Sequence, residues 1–111
     1  METVHFGSVK VGRDSPPYII AEIGSNHNGD MELCKRMVDR AAEVGAHAVK
    51  FQSWTEKTLI AEEEYASNRF FSDKKKHFGT LREMVRAYQF TPEQHYEIKA
   101  HCAHKKIDFC S

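Results

Sequence analysis

The residues best placed to do chemistry in this chain are Glu22, Lys50 and Gln52. Each stands near the C-terminal end of a short apolar run. The first run is Tyr18-Ile19-Ile20-Ala21-Glu22-Ile23, which leads into the turn Gly24-Ser25-Asn26-His27-Asn28-Gly29. The second is Ala48-Val49-Lys50-Phe51-Gln52, which leads into a long polar stretch. A charged group inside an apolar run is costly unless it is paired or hydrated. A carboxylate and an ammonium at the C-terminal ends of two strands suggest a shared site at the carboxyl edge of a parallel sheet. Such a site sets an acid–base group beside a fixed positive charge. The competing reading is an ion pair that only holds two strands in register.

The elements that must position these residues follow from pattern and punctuation. Between the two runs, Asp30 is a plausible helix N-cap, with Glu32 in the first turn where it complements the dipole. Leu33, Met37, Val38, Ala41 and Val44 recur at helical spacing, and Gly45 stands where a left-handed C-terminal residue belongs. Residues 18–52 therefore read as a β-α-β unit, which implies parallel strands and a right-handed crossover. Side chains alternate faces along a strand. Ile20 and Glu22 share one face, as do Ala48, Lys50 and Gln52. Ala21, Ile23, Val49 and Phe51 make the opposite face purely apolar. Helices on one side and a polar carboxyl end on the other are the pattern of a (β/α)8 TIM barrel. An open doubly wound sheet competes, but would less readily hold Lys50 and Gln52 under a helix.

The rest of the chain fits the start of such a barrel. Residues 4–12 alternate around Gly7-Ser8 as a small β-hairpin. Residues 53–79 show no sustained period and read as a long loop, with Glu62-Glu63-Glu64 and Lys74-Lys75-Lys76 as solvated charge runs. Trp54, Phe70 and Phe71 would anchor that loop. Capping boxes at Thr80-Leu81-Arg82-Glu83 and Thr91-Pro92-Glu93-Gln94 begin helices over 80–88 and 92–105. A third strand starts near Ile107 and the chain stops inside it, at Ser111. The expected fold is thus α/β, the N-terminal part of a TIM barrel preceded by a hairpin, in a single segment 1–111 of a longer protein.

Bulk composition narrows the function. The chain has 111 residues, 41% hydrophobic and 29% charged, as expected of one globular domain at most. Lys+Arg and Asp+Glu both total 16, so charge balance gives no reason to propose nucleic acid or a membrane surface as partner. No run approaches the roughly 20 apolar residues of a membrane span. Cys34, Cys102 and Cys110 are odd in number and not tightly spaced, which reads as reduced thiols in a cytoplasmic protein. His101, Cys102, His104 and Cys110 lack the second tight pair of a zinc site. His101, His104, Lys105 and Lys106 read instead as a solvated helix end.

Ile20-Ala21-Glu22-Ile23-Gly24-x-Asn26-His27-x-Gly29, followed by Ala41-Ala42-x-x-Gly45-Ala46-x-Ala48-Val49-Lys50-Phe51-Gln52, resembles the N-terminal part of the sialic acid synthase (N-acetylneuraminate synthase) family. The resemblance covers essentially the whole chain, through Phe109-Cys110-Ser111. It implies a transferase of carbohydrate biosynthesis that condenses phosphoenolpyruvate with an N-acylated amino-hexose, typically N-acetylmannosamine, into a nine-carbon sugar acid with release of phosphate. It also implies a divalent ion, manganese or magnesium, and a homodimer for the whole protein. Lys50 then matches a lysine that contacts phosphoenolpyruvate, Glu22 a glutamate that handles the sugar or attacking water, and Gln52 a glutamine that bonds the sugar. Asn26 and His27 match the turn after the first strand, with Asn26 a substrate contact. Asn68 is the nearest counterpart of a loop asparagine. The implied metal histidines, a further glutamate and a phosphoenolpyruvate-binding threonine all lie past Ser111. Strand parity puts Cys110, not Ser111, on the face of Glu22. For His27, a proton-carrying role and a backbone-bonded turn role both stand open. Another phosphoenolpyruvate-dependent sugar-acid synthase is the alternative within the enzyme class. A truncated, non-catalytic chain that only binds is the alternative outside it. Residues 1–111 alone are expected to lack synthase activity.

Overall fold

Apolar alternation and capping residues translate into ten short elements over residues 2–67 and 79–111, the parts of the chain described by the computed structural model. β1 (Val4–Phe6) and β2 (Val9–Val11) pair antiparallel across the Gly7-Ser8 turn. β3 (Ile20–Gly24), α1 (Met31–Glu43) and β4 (Ala48–Phe51) follow. The short helices α2 (Glu56–Leu59) and α3 (Glu62–Ser67) come next, then α4 (Leu81–Tyr88), α5 (Pro92–His104) and β5 (Asp108–Cys110). β3, β4 and β5 form a parallel sheet in that order, so the chain is α/β with one antiparallel and one parallel sheet.

The β-α-β unit stands where the pattern places it. Asp30 Oδ1 accepts the Leu33 N–H, and Gly45 takes the left-handed conformation at φ +87° just past the helix end. α1 turns Cys34, Val38 and Ala41 onto the sheet. There they meet Ile23, Val49 and Phe51, together with Ile98 and Cys102 of α5 and Ile107. Fully burying each larger aliphatic or aromatic side chain is worth about 1.5–3 kcal/mol, so this seam dominates the stability. The Lys35–Glu97 ion pair (2.6 Å) and the His101–Asp39 hydrogen bond (2.7 Å) tie α1 to α5 at its solvent side, where such contacts add little.

One expectation is corrected. Residues 53–79 were expected as a loop without regular structure, yet α2 and α3 lie inside it. Thr55 and Thr58 cap α2 reciprocally, and Glu62-Glu63-Glu64 is the first turn of α3, where acidic residues offset the dipole. Both helices are too short to show a period. Arg82 and Arg86 of α4 converge on Glu56, Arg82 also meets Glu62, and its guanidinium lies 4.4 Å over the Tyr65 ring. Trp54 does anchor this region, its indole N–H pointing at the Val85 carbonyl at 3.5 Å. Asn68, Phe70, Phe71 and Lys74-Lys75-Lys76 lie outside the described residues.

The hairpin closes the amino edge of the parallel sheet. Phe6 packs on Tyr18, Tyr18 stacks on His47, and the Tyr18 hydroxyl donates to Asp108 Oδ2 at 2.7 Å. Burial and the Asp108 carboxylate push the Tyr18 phenol up to about 12, so it stays a donor. No described helix is long and apolar enough to cross a membrane.

At the carboxyl edge the β3–α1 turn touches α4. Gly29 has φ +74°, and a Cβ there would lie 1.9 Å from the Ala87 carbonyl oxygen. Neither the backbone angle nor the space admits a side chain. Gly29→Ala is expected to cost about 2–5 kcal/mol, combining left-handed strain with overpacking. Urea denaturation of both forms checks this; a loss under ~1 kcal/mol would mean the turn relaxes freely.

Candidate functional site

The parallel register carries side chains of like parity to the same face. Ile20 pairs with Ala48, Ala21 with Val49, Glu22 with Lys50, and Lys50 in turn with Cys110. Ala21, Val49 and Phe51 go under the helices. Glu22, Lys50 and Cys110 therefore stand side by side on the opposite face, near the carboxyl ends of three adjacent strands. Lys50 Nζ lies 3.5 Å from Glu22 Oε2, and the two side chains are 52% and 47% exposed. A pair that open to water contributes at most about 1 kcal/mol. Burial of the apolar face, not the ion pair, sets the register. The expected cost of a charge in an apolar run is avoided by hydration rather than by burial and pairing.

Gly24 completes the arrangement. Its φ of +58° interrupts the ladder, so that Gly24 rather than Ile23 pairs with Phe51. The space above its missing Cβ is flanked by Glu22 Oε1 at 3.4 Å and the Gln52 carboxamide at 3.6 Å. The structure thus brings Glu22, Lys50 and Gln52 together. Asn26 Nδ2 donates to the Ile23 carbonyl at 2.9 Å, which fixes its side chain onto its own turn. Asn68 is outside the described residues.

Cys110 sits on the Lys50 face, where parity put it. Its thiol points to the Val49 carbonyl at 3.3 Å. Partial burial raises its pKa, Lys50 opposes the rise, and Glu22 reinforces it. Cys34 and Cys102 are fully buried beneath the helices, and burial pushes them up to about 12 and about 11, so both are inert thiols. All three cysteines are free.

His27 is 2% exposed and stacked on Phe90, with ring centroids 4.0 Å apart. Its Nδ1 accepts the Gly29 N–H at 3.0 Å, which requires the proton of the neutral ring to be on Nε2. The backbone-bonded reading therefore holds. Burial, reinforced by His95, lowers its pKa. His101, read with His104 as a solvated helix end, bonds Asp39 across to α1.

Sequence reasoning missed Ser53 and His95. His95 Nε2 lies 3.0 Å from Ser53 Oγ, which also contacts Ser111 Oγ. These residues are 42 and 58 positions apart, and no local motif joins them.

Among the described residues, no group of three or more His, Cys, Asp or Glu could hold a metal ion. Glu22 is the one carboxylate of the Glu22–Lys50–Gln52 cluster, and its charged neighbour is a cation. The described residues do not form a divalent-ion site.

The α/β fold agrees with what the chain is similar to. Residues 37–111 match the NeuB family model. An N,N'-diacetyllegionaminic acid synthase of Legionella pneumophila is 38% identical over 98 residues, covering 85% of this chain and 26% of that protein. A human N-acetylneuraminate-9-phosphate synthase is 35% identical over 104 residues, covering 89% of this chain and 27% of that one. The crystal structure of an N-acetylneuraminic acid (sialic acid) synthetase from Leptospira borgpetersenii, in complex with citrate, superposes with a TM-score of 0.75 at 30% identity. It covers 98% of this chain and 33% of that one. The fold and the match define a sialic-acid-synthase-type α/β protein. The chain belongs to the NeuB family, and spans roughly a quarter to a third of the length of these relatives.

The His27 geometry sets a pH dependence. Because burial lowers its folded pKa below the ordinary value near 6.5, the unfolded chain takes up the proton first. Its stability contribution is full above about pH 6.5 and is lost as pH falls below that. Asp39 and Glu56, held low by hydrogen bonds to His101 and Arg86, act in a separate window at and below about pH 4. In urea midpoints from pH 8 to 5, His27→Phe is expected to be less stable at pH 8 but to show a flatter pH profile. Equal slopes in both proteins would contradict this.

Proposed function

We propose that this chain supplies the first strands of a (β/α)8 barrel in a sialic-acid-type synthase, which condenses phosphoenolpyruvate with an N-acylated amino-hexose such as N-acetylmannosamine. The observation that carries this is the convergence of Glu22, Lys50 and Gln52 on the helix-free face at the carboxyl edge of a parallel sheet. That is where parallel α/β folds place their sites. The family match supports it.

The roles follow from chemistry. The Lys50 ammonium, half-exposed and 3.5 Å from its counter-ion, can exchange that carboxylate for the phosphate or carboxylate of phosphoenolpyruvate. The Gln52 amide offers donors and an acceptor to sugar hydroxyls. Glu22, beside both, is positioned to orient the sugar or take a proton from water as it adds. The new carbon–carbon bond forms from the enol carbon to the open-chain aldehyde carbon. Water then adds to the resulting cationic centre, and phosphate leaves by C–O cleavage. A divalent ion, manganese or magnesium, would be held by residues that follow this segment and would polarise the aldehyde oxygen. We place the enzyme in the cytoplasm as a homodimer. Residues 1–111 alone would lack activity, since three strands leave the barrel open.

The test uses the chain joined to the downstream part that its relatives have. Lys50→Ala is expected to lower kcat/KM for phosphoenolpyruvate by the equivalent of about 2–4 kcal/mol. Glu22→Gln is expected to cut turnover about 10²–10⁴-fold with little change in Tm. An unchanged specificity constant in the first, or normal turnover with a collapsed Tm in the second, would reduce the pair to a structural ion bridge.

A further inference from the structure

Behind the Glu22–Lys50–Gln52 face, on the helix side of the same carboxyl edge, a line of side chains crosses from β3 to β5. His27 in the β3–α1 turn stacks on Phe90, and Phe90 meets the edge of His95 at 6.2 Å. His95 bonds Ser53, and Ser53 contacts Ser111. Ser53 directly follows Gln52, the first residue after β4, so whatever fixes Ser53 restrains Gln52.

The polarity of this line is determined by one carbonyl. His95 Nδ1 lies 2.9 Å from the Thr91 carbonyl oxygen, which can only accept. The proton of neutral His95 is therefore on Nδ1, and Nε2 is an acceptor. Ser53 Oγ, 3.0 Å away, must donate to Nε2, and Ser111 can then donate to Ser53. His95 is half-buried at the first turn of α5, held by that helix and by Phe90. It is a rigid anchor reaching out to a loop. The titratable neighbours that face it are His27 from the β3–α1 turn and, from its own helix, Tyr96 and Lys99. The facing loop residues Ser53, Trp54, Thr55 and Thr58 carry no charge.

We propose that His95 is a positioning residue of the synthase site: through Ser53 it holds the start of the β4–α2 loop, and so keeps Gln52, the first residue of that loop, on the Lys50 face. This rests on the reading of that face as the substrate site. It touches no substrate itself, and its effect should fall on the ligand that Gln52 bonds, the amino-sugar, rather than on the ligand of Lys50. Gln at position 95 can present Oε1 to Ser53 and preserve the hydrogen bond. Phe at 95 keeps the aromatic contact with Phe90 and loses the acceptor.

The experiment is steady-state kinetics of the chain joined to its relatives' downstream part, with phosphoenolpyruvate, N-acetylmannosamine and manganese. His95→Phe and Ser53→Ala are expected to raise KM for the sugar about tenfold, with kcat within about threefold and KM for phosphoenolpyruvate within about twofold. His95→Gln should stay within about threefold of the parent. Unchanged sugar KM in His95→Phe, or equal damage from His95→Gln, would overturn the proposal. A second measurement does not depend on turnover. The ¹⁵N spectrum of the His95 ring near neutral pH should show Nδ1 protonated and Nε2 accepting, with the Nε2 shift moved by Ser53→Ala. An Nε2–H tautomer would overturn the proposal even in a fully active enzyme. An inactive parent with the expected tautomer would instead refute the synthase reading and leave the hydrogen-bond line standing.

Discussion

The parallel pairing of β3 with β4 is the constraint from which the rest follows. A side-chain period of two means that one register choice assigns every residue of both strands to a face. With Glu22 opposite Lys50, Ala21 and Val49 must go together under the helices. A slip by one residue would turn one of the two charges against Cys34, Val38 and Ile98, where it could not be hydrated. The apolar face thus selects the register, and the register assembles the polar face at no further cost. The Glu22–Lys50 pair is a consequence of this pairing, since a half-exposed contact at 3.5 Å is too weak to impose it.

The two edges of the sheet are treated differently. At the amino edge, the hairpin and the Tyr18–Asp108 hydrogen bond close the end of the sheet with aromatic and polar contacts. At the carboxyl edge, the loops are held from behind, by Gly29 against Ala87, by His27 on Phe90 and by His95 on Ser53. Support on the helix side leaves the opposite side open to a ligand. That separation is what a site at strand ends requires: rigid backbone behind, solvated polar groups in front.

Much of this was legible in the sequence, because the strongest signals are local. Asp30, Thr80, Thr91 and Gly45 mark helix ends by hydrogen-bond chemistry that needs no tertiary context. The parity of Ile20, Glu22, Ala48, Lys50 and Cys110 follows from strand geometry alone. What was not legible depends on distant pairing. Nothing around Ser53 announces His95, and nothing around Gly29 announces the Ala87 carbonyl. The bond from Asn26 to the Ile23 carbonyl was not legible either, since it depends on the shape of the turn. α2 and α3 escaped because four and six residues are shorter than a readable helical period. The parallel β-α-β core and the split faces were read from pattern; the line of side chains behind them required the structure.

The central claim is that Lys50 is held at the carboxyl edge to receive an anionic substrate. Amine-specific labelling tests it directly, because Lys50 is half-exposed and Lys99, on α5, provides an exposed internal control. Peptide mapping after labelling the chain joined to its relatives' downstream part, with and without saturating phosphoenolpyruvate, gives one rate for each lysine. The account predicts that phosphoenolpyruvate slows labelling of Lys50 by about tenfold or more while Lys99 is unchanged, since an ammonium bound to phosphate or carboxylate is both shielded and held protonated. Equal labelling of Lys50 in the two samples, under conditions where the ligand is bound, would contradict it.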